Sequence, residues 1–373
     1  MKMYLSLETT IRFVKTSSRL MFGWPLPLGT KRIIILRRRI LRILSTANII
    51  IIVSAQVFNI YRNREDRLNL FLCMTEMTAL SGTMAFVFIC HIDEDRLRAL
   101  ITDMTTFVRN ATDQELAVIR FYVKKCSLLH VTVIAVIVLG GIVYLLTPFV
   151  LPQPLPIKAA YPFSMEPIWI WALLYGSHVF TAFQVASALC MSLIFAVLTW
   201  FAAARFDIVN TEIERASKLN EVNRCVLYHQ ESLKFASRLS KTAGRMAFAV
   251  AASNFAAVMF GGVVITFRQF YTLDFVKVVA FELIAMVHLF LYAWPADYMA
   301  QLSQRLSESV LHGQWLGKSP KMQRSVVMMM QRANDPVIIK IDGVLPALNL
   351  ETFGAGLSTS FSYIATLLAI FGE

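Results

Sequence analysis

Glu76 and Glu282 are the residues best placed to do chemistry in this sequence. Each is a carboxylate inside an apolar stretch long enough to cross a bilayer. An acid in hydrocarbon is costly, and it persists where it binds a ligand, carries a proton or fixes helix packing. His178 and His288 stand in two further apolar stretches and can serve as ligands or as hydrogen-bonded packing residues. The other histidines, His91, His130, His229 and His312, are scattered. None of these groups falls into a catalytic set: GxGxxG, GxxxxGK[ST], GxSxG and HExxH are all absent. The five cysteines form no CxxC pair, which argues against a zinc site or a disulfide framework. No enzyme, metal or cofactor is therefore expected. Asp93-Glu94-Asp95, just past an apolar stretch, is expected to be a solvated loop.

The elements that must position these groups are membrane helices. The chain is 57% hydrophobic and 16% charged, with a mean hydropathy of +0.58, whereas soluble domains average about 45–50% apolar and about 25% charged. The expected fold is an all-α integral membrane protein with seven spans: 41–61, 70–90, 127–150, 168–204, 246–267, 275–294 and 345–371. Lys and Arg set the orientation. Segments 1–42, 91–126, 205–245 and 295–343 hold 30 of the 36 basic residues, so they and the N-terminus are expected in the cytoplasm and the C-terminus outside. The same bias accounts for the net charge of +12 without nucleic acid. This orientation is opposite to that of a G-protein-coupled receptor, and it leaves the sequon Asn110-Ala111-Thr112 bare in the cytosol. The chain reads as one domain: a cytosolic segment 1–40, spans 41–204, a cytosolic helical extension 205–245, spans 246–294, a second cytosolic segment 295–343 and a last helix over 344–373. Apolar residues at helical spacing in 205–245 and 296–333 predict helices that pack together as an assembly base below the membrane.

The last span is too polar for lipid. Asn349, Glu351, Thr352, Ser358, Thr359, Ser360, Ser362, Tyr363 and Thr366 lie along it. Thr352, Thr359, Tyr363, Thr366 and Ile370 share one face at helical spacing. Such a helix belongs inside a bundle or beside water. Elsewhere, Met74, Met77, Gly141, Tyr144, Tyr175, Phe180, Phe183 and Phe281 are the candidate lining of an apolar pocket for small ligands between the spans.

Three motifs carry a family resemblance. They are Leu348-Asn349-Leu350-Glu351-Thr352-Phe353 with Ser360-Phe361-Ser362-Tyr363, then Trp294-Pro295-Ala296-Asp297 followed by Ser303, Ser307 and Trp315, and Gly23-Trp24-Pro25. In this order, and with the inverted topology, the chain resembles insect odorant receptors along its full length. The resemblance implies the odorant-specific subunit of a ligand-gated, non-selective cation channel in the plasma membrane of olfactory neurons. It implies a heterotetramer with a common co-receptor, small volatile odorants and permeant cations as ligands, and lipid around it. The absence of a long insertion in 205–245 points to the tuning subunit. By the same resemblance Thr359, Tyr363, Thr366, Ala369 and Ile370 line the pore or its gate. Phe361 and Ile364 depart from the commonest form of the last motif. A gustatory receptor of the same superfamily is the nearest alternative, with a secondary transporter further off, since no internal repeat is found.

Overall fold

The computed structural model describes residues 12, 15–16, 24–27, 29–151, 153–267, 272–313, 315–340 and 347–371. Gly23, Arg268 and the expected start of the last span at Leu345 lie outside them. The helices are α1 (Arg32–Arg62), α2 (Arg67–Ile92), α3 (Glu94–Asn110), α4 (Asp113–Val150), α5 (Ile168–Arg215), α6 (Leu219–Thr266), α7 (Thr272–Leu311), α8 (Pro320–Ala333) and α9 (Leu350–Phe371). No strand occurs among the described residues. Seven helices are long and apolar enough to cross a membrane: α1, α2, α4, α5, α6, α7 and α9. Each coincides with one of the seven expected spans, though α6 ends at Thr266 and α9 begins only at Leu350.

Local sequence sets the helix starts. Asp66 accepts a hydrogen bond from the Asn69 N–H at the head of α2. Thr112 and Glu115 form a reciprocal capping box at the head of α4, and Ser319 caps α8 ahead of Pro320. Several helices overrun their expected spans. α5 continues to Arg215, α6 begins at Leu219, and α7 runs on to Leu311. A hydropathy window stops where polar residues enter, but the 3.6-residue apolar period does not stop there. The extensions at 205–245 are thus the lower halves of α5 and α6, joined at 216–218.

α5 is the axis. Of its most apolar stretch 83% is buried, against 6% for α9. The main core packs α5 with α6 and α7 around Phe195, Trp200, Met246 and Met299, with α2, α3 and α4 against them. At the basic end a separate core forms from Val209 and Ile213 of α5, Val222 and Cys225 of α6, Leu306 and Val310 of α7, and Met322, Val326 and Met329 of α8. At the opposite end residues 153–167 fold back over the helices. There Leu155, Ile157 and Tyr161 are buried, and the Ala160 N–H donates to the Ala55 carbonyl.

Asp93-Glu94-Asp95 is not the solvated loop expected. Asp93 joins α2 to α3, is 1% exposed, and pairs with Arg245 at 2.6 Å and Arg96 at 3.1 Å. Glu94 pairs with Arg38 at 2.8 Å and Arg42 at 3.2 Å, and accepts from the Leu26 N–H at 3.0 Å. Arg38 also donates to the carbonyl of Trp24. Only Asp95 lies in solvent. The basic run that abuts the first span needs counter-charges, and these acids lie at the same end.

Burial alone would raise the Glu94 carboxyl. The Leu26 N–H and the two guanidiniums outweigh it and hold the group below its ordinary value of 4.5. A lowered folded value means the stabilisation is fully present above about 4.5 and is lost as pH falls through that lowered value. Glu94→Gln is expected to remove roughly 1–3 kcal/mol at neutral pH by leaving two partly buried guanidiniums short of an anion. Thermal melts of detergent-purified protein check this. Identical melting of wild type and variant at pH 7 would show that Glu94 does not anchor the segment before α1.

Candidate functional site

A cavity lies between α2, α4, α5 and α7. α2 supplies Glu76, Ala79 and Leu80. α4 supplies Ile137, Gly140, Gly141, Val143 and Tyr144. α5 supplies Thr181, Ala182, Val185, Ala186 and Leu189, and α7 supplies Lys277, Ala280, Phe281 and Ile284. Ile157 closes it from the folded-back segment. The α5 set recurs every three to four residues, as one face of a helix must. The lining is overwhelmingly apolar, as in sites for small apolar molecules. At Gly140 a Cβ would meet Ile284 Cδ1 at 2.8 Å, so that side-chain end would have to shift. Gly141 opens onto space: a Cβ there meets nothing within 4 Å.

Of the residues expected to line a pocket, Gly141, Tyr144 and Phe281 do so here. The others do not. Phe180 and Phe183 are 38% and 51% exposed on the opposite face of α5 from Thr181 and Val185, since position 183 lies about 200° around the helix from both. Tyr175 stacks on Trp171 at 5.2 Å and donates to the Leu145 carbonyl. Met74 and Met77 are half-buried and line neither this cavity nor the next.

A second cavity continues inward. Ala79, Val185, Leu189, Phe281 and Ile284 line both and form the wall between them. Its polar edge is a chain in which Asn254 Nδ2 meets His288 Nδ1 at 3.1 Å and His288 Nε2 meets Ser192 Oγ at 2.9 Å. An amide N–H can only donate, so Nδ1 accepts and Nε2–H donates onward. His178 is likewise enclosed, with Tyr144 Oη at 3.3 Å from Nδ1 and Tyr161 Oη at 3.5 Å from Nε2. Both histidines hold helices together through hydrogen bonds.

The two acids differ. Glu76 meets Lys277 Nζ at 2.5 Å, and Gln56 Nε2 donates to its other oxygen at 2.9 Å. Sequence reasoning did not single out Lys277 and missed this pair. The signal was present as two opposite charges, each within an apolar stretch. Glu282 is also buried, and its Oε1 has no hydrogen-bond partner among the described residues. It sits against Gly261 of α6, its carboxylate filling the place a Cβ would take. Among the described residues no group of three His, Cys, Asp or Glu can hold a metal ion.

α9 rests on α6 and α7 through one side only. Ile364 Cδ1 fills the place a Cβ would take at Gly262 of α6, and the Phe255 ring of α6 fills that at Gly356 of α9. Ile364, Leu367 and Leu368 join a cluster with Phe71 and Val264. Thr359, Tyr363, Thr366, Ala369 and Ile370 all lie exposed on the side away from the bundle.

Comparison with known proteins fits this architecture. Residues 65–361 match the family described as 7tm Odorant receptor. Odorant receptor 46a, isoform B, of Drosophila melanogaster is 31% identical over 24% of this chain and 24% of its own length. Odorant receptor 13a of the same fly is 21% identical over 59% of this chain and 58% of its own. The chain thus matches about a quarter and somewhat over half the length of these two relatives. The solved olfactory receptor OR5 from Machilis hrabei superposes with a TM-score of 0.80 at 14% identity, covering 98% of this chain and 99% of that one. The same receptor in complex with eugenol gives 0.79 at 13% identity. A multi-pass membrane protein with this helix order and a family match over most of its length belongs to the insect odorant receptor family.

Proposed function

We propose that this chain is the odorant-specific subunit of a ligand-gated, non-selective cation channel. It binds small volatile molecules in the cavity between α2, α4, α5 and α7 and opens a pore lined by α9. The observation that carries this reading is the apolar cavity itself, placed between the spans with Ile157 of the folded-back segment in its lining. Eugenol bound to the Machilis hrabei receptor lends support, as that protein shares the fold. The polar side of α9, uncovered in a single chain, suits a helix that faces water or other subunits. A heterotetramer with a co-receptor, built on the core shared by α5 to α8, would bring α9 helices together around an axis. The basic end then lies in the cytoplasm and the C-terminus outside, in the plasma membrane of olfactory neurons. Binding must favour the open state differentially to gate it.

The test is heterologous expression with and without a co-receptor, recording currents to a broad panel of volatiles. Currents are expected only with both chains present. Surface delivery of both chains with no current to any volatile would overturn the channel reading.

A further inference from the structure

The main cavity carries one unusual element. Glu76 and Lys277 are the charged residues in its lining, and their side chains are 3% and 4% exposed. Its hydroxyls are already engaged. Tyr144 meets His178, and Thr181 donates to the Ser177 carbonyl while accepting from Asn48 Nδ2 at 2.7 Å. The ion pair is different. An ammonium has three N–H donors. One goes to the Pro156 carbonyl at 3.1 Å and one is drawn to Glu76. The third has no acceptor among the described residues. On the acid, Gln56 serves Oε2, while Oε1 has the lysine beside it at 2.5 Å but receives no directed hydrogen bond. A donor and an acceptor thus stand side by side on an otherwise apolar wall.

We propose that the Glu76–Lys277 pair is the polar recognition element of this cavity and selects small, largely apolar ligands bearing one hydroxyl group. A hydroxyl oxygen accepts from the Lys277 ammonium while its proton goes to Glu76 Oε1, so one ligand group satisfies both. A carbonyl uses only the donor. A hydrocarbon uses neither, and a carboxylate meets the charge of Glu76. Hydrogen bonds to charged groups in a dry site are strong, so a hydroxyl should gain roughly ten- to a hundredfold over the bare hydrocarbon. This inference rests on the odorant-binding reading of the same cavity, and it specifies the ligand class.

The probes are 1-octanol, octanal, octane and octanoate, which share one carbon chain. Two readouts separate recognition from gating. One is ligand-induced thermal stabilisation of the purified full chain, and the other is current in cells that also express a co-receptor. The expected order is octanol, then octanal, then octane, with octanoate last and at least tenfold between octanol and octane. Removing one charge strands the other, so the informative variant is the neutral double change Glu76→Met with Lys277→Met. It should still bind octane while the octanol preference falls to near one. Reversing the pair, Glu76→Lys with Lys277→Glu, should restore the preference. The proposal is overturned if wild type binds octane as well as octanol, if no probe stabilises the protein, or if the neutral double variant keeps its alcohol preference. Stabilisation in the stated order without any current would uphold the recognition element and defeat the channel reading.

Discussion

A lysine at Thr366 or Ile370 is expected to cut inward cation current at least tenfold while leaving the order of effective ligands unchanged. Both side chains project from α9 on the side away from α6 and α7. They touch neither cavity. If that side borders the permeation path, a fixed ammonium meets each passing cation. At about 10 Å and an effective dielectric constant of about 20, the repulsion is about 1.7 kcal/mol, a little over tenfold in occupancy. Each further copy of the subunit in the ring adds to it. Chloride should gain relative permeability as sodium loses it, so the reversal potential shifts with the anion gradient. Ligand preference is set elsewhere, and dose–response curves should keep their rank order with smaller maxima. Phe281→Ala is the reciprocal experiment, since it removes part of the cavity wall and should reorder ligands at unchanged ion selectivity. Lysine variants that conduct normally and alter only ligand ranking would remove α9 from the pore.

Gly82→Val is expected to keep most of the protein from the cell surface, whereas Gly141→Val is expected to reach it normally. The contrast lies in what each new side chain meets. At Gly82 on α2, a Cβ would sit 2.5 Å from Ser253 Oγ and 2.6 Å from Ser253 Cβ on α6. Ser253 Cβ is fixed to its backbone, so no rotamer relieves the clash and the helices must part. Close crossings through small residues are how membrane helices associate when there is no water to drive them together. Overpacking typically costs 1–3 kcal/mol, a large share of roughly 5–15 kcal/mol of total stability. At Gly141 the side chain enters open cavity. That variant should fold and lose its larger ligands first. Surface biotinylation and detergent melting curves give the first readout, and a homologous series of ligands gives the second. Normal surface delivery of Gly82→Val with unchanged melting would refute the tight α2–α6 crossing.

The spans were legible because apolar runs of about 20 residues are a strong signal. So was the oddity of α9, since it carries many polar residues in a span-length apolar stretch, four of them with Ile370 on one face. The phase of the other helices was not legible. Phe180 and Phe183 looked like pocket residues, yet α5 carries apolar residues all round. An aromatic side chain in such a helix gives no hint of which side meets a cavity. Glu76 was recognised as costly, but its partner sits on α7, and neither position alone names the other. Asp93 and Glu94 read as loop because their hydrophilicity was visible and their guanidinium partners, three of them on α1 and α6, were not.

The length of α5 has a further consequence. Its 48 residues extend about 70 Å at 1.5 Å per residue, more than twice the roughly 30 Å thickness of hydrocarbon. One unbroken helix therefore passes between two solvents. Around Thr181 and Leu189 its neighbours are held by shape, small residues and hydrogen bonds, because lipid tails offer no hydrophobic gain. Around Val209 and Ile213 its neighbours are held as in a water-soluble protein, by exclusion of apolar side chains from water. The two halves obey different thermodynamics. Urea and cold weaken the second kind of cohesion selectively, so the basic-end core should loosen under conditions that leave the packing around the cavity between α2, α4, α5 and α7 intact.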